Sequence, residues 1–497
     1  MSQSLLQTGR NSVSASRTAG AFRAILRHIA WMPAIPLLAW PAFYNRYPLL
    51  FPDSMSYLES GPRVARALFL HQYSGYYGVR SFIYALGIAP FHVPLWPVIA
   101  LQATLTAYIL WLVVRSFTPS HREEGCPTFA PRFSALRWES GSPSRTVLAY
   151  YAIITPLALL TGLPWVTSVV MPDILGALLY LAIYLLVFAP ETISRHERVL
   201  LFLIAWWSAA AHITHIMLAL GLVLFLLAGL IACRAVTRRR LWGLAAASGI
   251  LLAAIFSHMA LHGVLYGKPT LNGNRPAYLT ARLIADGPGR WYLQQHCPQA
   301  PFFMCTFVAN LPASPDEFLW DHNGLWQTAS PQTKALILRQ ESSFAAAVLR
   351  TYPRQQIAIS LKAFRQQLTD FDISNDTNAW MLQDFVLALP GQRPLYERSR
   401  QAQETLPNDL FSTIQNWTVA ASLALLCLLA PFVWRRCSAR LMGLAAIVFA
   451  ILLANAFTTA VLAEVDERYQ NRVIWLLPLL AALTIVEILN QRRPLSD

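Results

Sequence analysis

Long uninterrupted runs of apolar residues limit what this chain can fold into more than any other feature. Many of these runs approach the roughly 20 residues that an α-helix needs to cross a bilayer. The chain is 55% hydrophobic and 13% charged, whereas soluble domains carry about 25% charged residues. The sequence therefore predicts an all-α polytopic membrane protein and argues against a soluble globular fold.

Ten spans are predicted from the apolar lengths and from the Arg and Lys residues that flank them. They cover residues 29–48, 95–115, 147–163, 173–190, 199–213, 216–233, 241–262, 416–434, 441–463 and 473–490. Basic residues concentrate in alternate loops, which places both chain ends in the cytoplasm under the positive-inside rule. In this setting the formal charge of +14 fits topology and anionic lipid headgroups better than nucleic acid.

The spans divide the chain into five predicted regions. These are a basic cytoplasmic tail (1–28), a transmembrane region (29–262), an extracytoplasmic domain (263–415), a C-terminal transmembrane region (416–490) and a cytoplasmic tail (491–497). The first outer loop, 49–94, ends in an apolar stretch suited to a helix along the membrane interface. Within the outer domain, apolar spacing and leading prolines predict mostly helical structure, with helices over 331–351 and 353–369.

Cys297 and Cys305 both fall in the outer domain. They can form a disulfide if that domain faces an oxidising compartment, and two free thiols are the alternative. The six cysteines of the chain show no metal-binding spacing, so no structural zinc site is predicted.

The first outer loop begins with two acids, Asp53 and Glu59, separated by hydroxyl side chains and Tyr57. If Ser54 caps a helix here, Asp53 lies at the positive end of the helix dipole. A carboxylate at the membrane edge costs solvation and usually has a partner or a task, such as accepting a proton. An ordinary helix-start aspartate followed by a solvated glutamate is the alternative.

Asp173 follows Pro172 at the predicted start of the fourth span. Proline suits the first turn of a helix, and an acid there compensates the helix dipole, which is a sufficient structural explanation. However, this turn opens on the same side of the membrane as Asp53. The two acids can therefore converge at one depth.

His212 and His215 flank a predicted outer turn between two short spans. Two histidines three residues apart can share a helical face and donate hydrogen bonds to a phosphate. The alternative is that they satisfy each other or a backbone carbonyl. No third ligand at a convincing spacing supports zinc.

The last outer loop, residues 464–472, packs five charges into a short segment. Arg468 and Arg472 lie one helical turn apart and could clamp a phosphate or diphosphate at the bilayer edge. A solvated, salt-bridged turn with Tyr469 at the interface is the alternative. The sequence has no P-loop, dinucleotide fingerprint or serine elbow, so an outward site would need a donor delivered within the membrane.

This order of features resembles the GT-C superfamily of membrane glycosyltransferases, especially bacterial members related to protein mannosyltransferases and aminoarabinose transferases. The matching motifs are Pro-Asp-Ser-Met-Ser-Tyr-Leu at 52–58, Met-Pro-Asp at 171–173, and Arg468-Tyr469 followed by an apolar run containing a proline. Two departures stand out. Many relatives have Asp-Glu in the first loop where this chain has Asp-Ser, and a lysine where this chain has its histidine pair.

The resemblance implies transfer of one sugar from a polyprenyl-phosphate donor to a glycolipid, polysaccharide or protein acceptor. The implied location is the periplasmic face of a bacterial inner membrane. Asp53 is then the expected general base, and the substrate-binding residues are Tyr57, Glu59, Asp173, His212, His215, Arg468, Tyr469 and Arg472. We expect no cofactor, with a divalent metal on Asp53 and Asp173 as the alternative. The other functions considered are a transporter or flippase of a lipid-linked saccharide, a glycan ligase and an assembly scaffold.

Overall fold

A computed structural model describes residues 29–74, 80–91, 93–118, 143–271, 275–373, 388–436 and 438–491. The predicted N-terminal tail and nearly all of the C-terminal tail lie outside these residues. Within the described chain the structure is all-helical: 78% is helix and no strand forms.

The helices that precede the outer domain follow one another closely. In chain order they are α1 (Ala34–Leu38), α2 (Trp40–Asn45), α3 (Pro52–Leu70), α4 (Phe82–Ile88), α5 (Trp96–Ser116), α6 (Pro143–Leu160), α7 (Leu163–Ser168), α8 (Asp173–Phe188), α9 (Arg195–Ala210), α10 (Ile213–Ala232) and α11 (Arg238–Tyr266). The helix α4, with the 3₁₀ turn Ala89–Phe91 that follows it, lies where the interfacial helix was predicted.

The remaining helices belong to the predicted outer domain (263–415), called the outer domain below, and to the C-terminal part of the bundle. They are α12 (Tyr278–Asp286), α13 (Pro288–His296), α14 (Pro315–Leu319), α15 (Leu325–Thr328), α16 (Pro331–Thr351), α17 (Pro353–Thr369), α18 (Arg393–Glu397), α19 (Asn408–Arg436), α20 (Ala439–Leu462), α21 (Glu467–Ile474) and α22 (Leu476–Gln491). The two helices predicted in the outer domain are confirmed as α16 and α17.

Six helical segments in the described chain are long and apolar enough to cross a membrane. They are Trp96–Ser116, Ile213–Ala232, Arg238–Tyr266, Asn408–Pro431, Ala439–Leu462 and Glu467–Gln491. Three other predicted spans form the shorter helices α6, α8 and α9. The first predicted span, 29–48, is broken into α1 and α2, because Pro36 and Pro41 lack the backbone N–H that a continuous helix needs.

The helix α8 lies at the centre of the bundle. Every residue from Asp173 to Val187 is buried, and α5, α9, α11, α20 and α21 all pack against it. A helix that is apolar on all sides belongs in a protein interior. At 16 residues it is only about 24 Å long, but its neighbours shield it from lipid. Asp173, the first residue of α8, therefore lies near the central axis of the bundle, at one end of the bundle.

The outer domain has a buried core of its own, built between Ala277 and Val348. Cys297 and Cys305 are joined by a disulfide in this core, which settles the alternative that the sequence left open. The following helix, α17, lies outside this core and packs along α20, where the rings of Phe364 and Phe457 meet edge to face with centroids 5.8 Å apart. The outer domain is thus connected to the bundle through α17.

Candidate functional site

Two helix starts carry the predicted acids, and a short backbone bridge holds them side by side. The Leu49 N–H donates to the Ser168 carbonyl at 3.0 Å, and the Val170 N–H donates to the Leu49 carbonyl at 2.9 Å. The helix α3 begins three residues after this bridge, and α8 begins three residues after Val170. Asp53 and Asp173 therefore lie in the first turns of neighbouring helices, where the helix dipole favours a carboxylate.

Asp53 is held by two arginines from distant parts of the chain. Its Oδ1 accepts from Nη2 of Arg80, and its Oδ2 lies 3.3 Å from Nη1 of Arg468. The predicted cap was wrong in detail: Phe51 is the N-cap residue, and the Ser54 hydroxyl accepts from the Phe51 N–H at 2.9 Å. The Asp53–Arg468 pair joins the first and last outer loops, which are 415 residues apart.

Arg80 was not among the predicted site residues. Its guanidinium lies 5.3 Å from the centroid of the Trp320 ring, so it connects Asp53 to the outer domain. Burial alone would lower the pKa of this guanidinium, but the Asp53 charge raises the pKa above its usual value. The sequence signal was present, because arginines are sparse in the short outer loops and Arg80 is one of them.

Asp173 pairs with Arg472 in the interior of the bundle. The Arg472 Nη1 lies 3.3 Å from Asp173 Oδ1, and Arg472 is only 3% exposed. The same guanidinium donates twice to Asn455 Oδ1 on α20, from Nε at 3.2 Å and from Nη2 at 2.7 Å. Arg472 therefore shares its donors between a charged and a neutral acceptor.

The short helix α21 carries two of the three cations of the site, Arg468 and Arg472, on one face. Its N-cap is Asp466, whose carboxylate accepts from the Arg468 N–H at 2.8 Å. The side chain of Gln367 on α17 holds the Asp466 backbone through both its N–H (3.0 Å) and its carbonyl (2.8 Å). The predicted one-turn spacing of Arg468 and Arg472 is thus realised in a helix that is fixed at its start.

Asn471 lies beside these arginines and was also missed by sequence reasoning. The Gln415 Oε1 accepts from the Gly162 N–H, so the Gln415 amide must donate to Phe371 O at 2.6 Å and to Asn471 Oδ1 at 3.1 Å. The oxygen of Asn471 is therefore occupied, and its NH₂ group is left as a donor. A single asparagine carries no sequence signal for this role, because the role depends on its orientation by Gln415.

A cleft opens beside the charged cluster. Its polar end is formed by Asp173, Arg468, Asn471 and Arg472. The rest of its wall is largely apolar and comprises Leu49, Leu50, Phe51, Trp165, Val166, Val169, Met171, Ile373 and Leu406, with Gln401. The cleft therefore suits a molecule that has both an anionic group and an apolar part.

Three other residues near Asp53 and α21 were predicted to bind substrate: Tyr57, Glu59 and Tyr469. The structure places each of them in a different setting. Tyr57 is fully buried, burial raises the pKa of its phenol, and its hydroxyl has no hydrogen-bond partner among the described residues. Glu59 pairs instead with Arg63, one turn further along α3, and does not line the cleft. The ring of Tyr469 lies 5.0 Å from the Arg468 guanidinium, so it shields the cluster on one side.

The two histidines adopt opposite tautomers in their neutral forms. His212 Nδ1 accepts from the Thr214 N–H at 3.2 Å, so its Nε2 carries the hydrogen. His215 Nδ1 lies 2.8 Å from the Ser208 carbonyl and must donate, which leaves Nε2 as an acceptor. Only His212 can therefore donate to a phosphate as predicted. His215 Nε2 is buried, with no partner in the part of the chain that the structure describes.

The site brings together side chains that could bind a charged ligand, but it does not form a recognisable metal centre. Across the described ranges, no group of three or more His, Cys, Asp or Glu residues is placed to hold a metal ion. No protein-family model, curated protein or solved structure matches the chain. The functional argument therefore starts from the geometry of the cleft.

Proposed function

We propose that this protein is a membrane glycosyltransferase that uses a polyprenyl-phosphate-linked sugar as its donor. The observation that carries the proposal is the cleft, in which Arg468, Asn471 and Arg472 lie at one end of a largely apolar wall. A polyprenyl-phosphate sugar combines an anionic phosphate with a long apolar chain. Cationic and amide donors would bind the phosphate, and the apolar wall would contact the first isoprene units.

The paired arginines of the site also suit an anionic ligand. Three guanidinium groups (Arg80, Arg468, Arg472) are paired with two carboxylates (Asp53, Asp173), and Asp466 at the N-cap of α21 balances the third charge. In sugar transfer the leaving group is a lipid phosphate whose negative charge grows in the transition state. Donors fixed in place before the reaction stabilise that charge without reorganisation.

The proposal includes the full topology predicted from the sequence, with ten crossings and the site on the periplasmic side of a bacterial inner membrane. Six helices meet the length and hydropathy expected of a span. The short helix α8 can serve as a further crossing because it is enclosed by protein, so its ends need not match the bilayer thickness. The order of the acid and arginine motifs supports assignment to the GT-C superfamily, which remains part of this proposal.

The test uses purified full-length protein in lipid vesicles with a panel of synthetic polyprenyl-phosphate hexoses and pentoses, radiolabelled in the sugar. A membrane lipid extract supplies acceptors. We expect one donor to release free polyprenyl phosphate, measured by mass, and to transfer label to an acceptor. Arg468→Met should reduce this rate by about 10²-fold, as for other lost transition-state donors.

The matched control is Arg393→Met, which removes a surface arginine that is 51% exposed and whose ion pair in the described chain is with Glu397; it should leave the rate unchanged. Movement of intact lipid-linked sugar across the vesicle bilayer, without cleavage of any donor, would replace this proposal with a flippase.

A further inference from the structure

The two carboxylates of the site differ in their contacts more than in their exposure, since the side chain of Asp53 is 14% exposed and that of Asp173 is 10% exposed. Both oxygens of Asp53 accept from guanidinium groups, one from Arg80 and one from Arg468. Asp53 also does not line the cleft, whereas Asp173 does. The only ion pair of Asp173 in the described chain is to Arg472, through Oδ1.

Arg472, the ion-pair partner of Asp173, also donates hydrogen bonds to a second side chain. Arg472 directs two of its donors to Asn455, at 3.2 and 2.7 Å, and reaches Asp173 only at 3.3 Å. A contact at 3.3 Å is longer than the usual charge-assisted hydrogen bond of about 2.7–2.9 Å. The charges of Arg468 and Arg472 together therefore keep Asp173 ionised, and the long Arg472 contact leaves lone pairs of the carboxylate available to a ligand.

None of the other proton-accepting side chains of the cluster lines the cleft in the described structure. Tyr57 is fully buried and His215 is 1% exposed, and His212 does not line the cleft either. Of the acids, phenols and imidazoles considered for the site, Asp173 is the one that lines the cleft in the described structure. It lies next to the arginines that would hold the donor phosphate.

We infer that Asp173, and not Asp53, is the catalytic proton acceptor, and that Asp53 is a positioning residue for Arg468 and Arg80. This inference rests on the proposed function. In the step, the acceptor hydroxyl gives its proton to the Asp173 carboxylate while its oxygen forms a bond to the anomeric carbon. The bond from that carbon to the phosphate oxygen breaks, and its electron pair stays on the polyprenyl phosphate beside Arg468 and Arg472.

The role of Asp53 follows from its contacts. Together with Trp320, it fixes the guanidinium of Arg80, and it holds Arg468 at the rim of the cleft. Replacing Asp53 with asparagine keeps an oxygen that can accept from either arginine. The substitution should therefore weaken donor binding more than it slows the chemical step.

The experiment compares Asp173→Asn, Asp173→Glu and Asp53→Asn in the vesicle assay, with binding of decaprenyl phosphate alone as a second readout. Glu191→Gln is the matched control, because it neutralises an ion-paired acid just beyond the opposite end of α8. We expect Asp173→Asn to lower kcat by about 10²–10⁴-fold, the usual contribution of a general base, while decaprenyl phosphate binding changes less than threefold. Asp53→Asn should raise KM and keep kcat within about tenfold.

Asp173→Glu keeps a carboxylate at this position, so it separates loss of the proton acceptor from loss of folding. It should retain a higher kcat than Asp173→Asn. Loss of kcat in Asp53→Asn with retention in Asp173→Asn would overturn the assignment, as would equal losses in both. Those results leave the proposed transfer intact. If wild-type protein cleaves no donor in the panel, the proposed function fails, and the assignment fails with it.

Discussion

The buried pair of Arg472 and Asp173 allows a quantitative test of the site. The side chain of Arg472 is 4% exposed and that of Asp173 is 10% exposed, so water screens neither charge well. Replacing Arg472 with methionine keeps an elongated side chain but leaves a buried carboxylate without its cation. Removing one partner of a buried ion pair typically costs about 3–5 kcal/mol.

A second loss comes from Asn455. Its Oδ1 accepts two hydrogen bonds from Arg472 and is fully buried with the rest of the side chain. An acceptor stranded in this way costs about 1–3 kcal/mol. Asp173→Asn should cost less, because the asparagine oxygen still accepts from Arg472.

The assay is thermal unfolding in detergent, followed by the fluorescence of the 16 tryptophans. For Arg472→Met the two losses together come to about 4–8 kcal/mol, which corresponds to a fall in Tm of about 4–8 °C, taking about 2.1 cal/mol/K of unfolding entropy for each of the 497 residues. The double variant that combines Arg472→Met with Asp173→Asn should be more stable than the sum of the two single losses predicts, by about 1–3 kcal/mol. Additivity within 0.5 kcal/mol, the range of independent sites, would refute the pairing.

Three further outcomes are expected. Gly176→Ala places a methyl carbon 2.8 Å from a buried histidine nitrogen and should lower the free energy of unfolding by about 1–3 kcal/mol. Gly221→Ala is the control, because its methyl carbon has no atom within 4 Å, and it should be neutral or stabilising in the same Tm assay. Removing the disulfide by Cys297→Ala and Cys305→Ala opens a loop of eight residues and should destabilise the outer domain by about 2–3 kcal/mol, read by limited proteolysis. Burial, reinforced by nearby aspartates, raises the pKa of Glu464 from 4.5 to about 7. The folded state therefore binds the Glu464 proton more tightly than the unfolded state does. The stability gained from this proton is complete at low pH and is lost as the pH rises through 7. Replacing Glu464 with glutamine should flatten that dependence in Tm measured from pH 5 to 8.

Helix positions were the most predictable part of the fold. Prolines at helix starts and apolar spacing located α16 and α17 correctly, because both signals act within a few residues. The segment 29–48 shows the limit of hydropathy, which counts apolar content but does not register missing backbone donors. Pro36 and Pro41 therefore divided a run that was apolar enough to be one span.

The candidate site was predictable in its charges but not in its pairing. The acids at helix starts and the arginines in the last outer loop stand out by type and place. Which acid meets which arginine depends on the Leu49 bridge and on the N-cap of α21 by Asp466, and neither contact has a local signature. Glu59 illustrates the point, since an arginine four residues later is its partner, and this helical pairing could have been recognised in advance.

Buried polar atoms without partners do not by themselves separate a binding site from a structural ion-pair network. Each such atom costs free energy, and the charged cluster holds four of the twelve in the described chain: the Tyr57 hydroxyl, Arg80 Nε, Arg468 Nε and His215 Nε2. What distinguishes this cluster is that Asp173, Arg468 and Arg472 also line the cleft. Proteins depart from local rules mostly at functional sites, so a cluster that combines orphaned atoms with an open cleft is the place to look for chemistry.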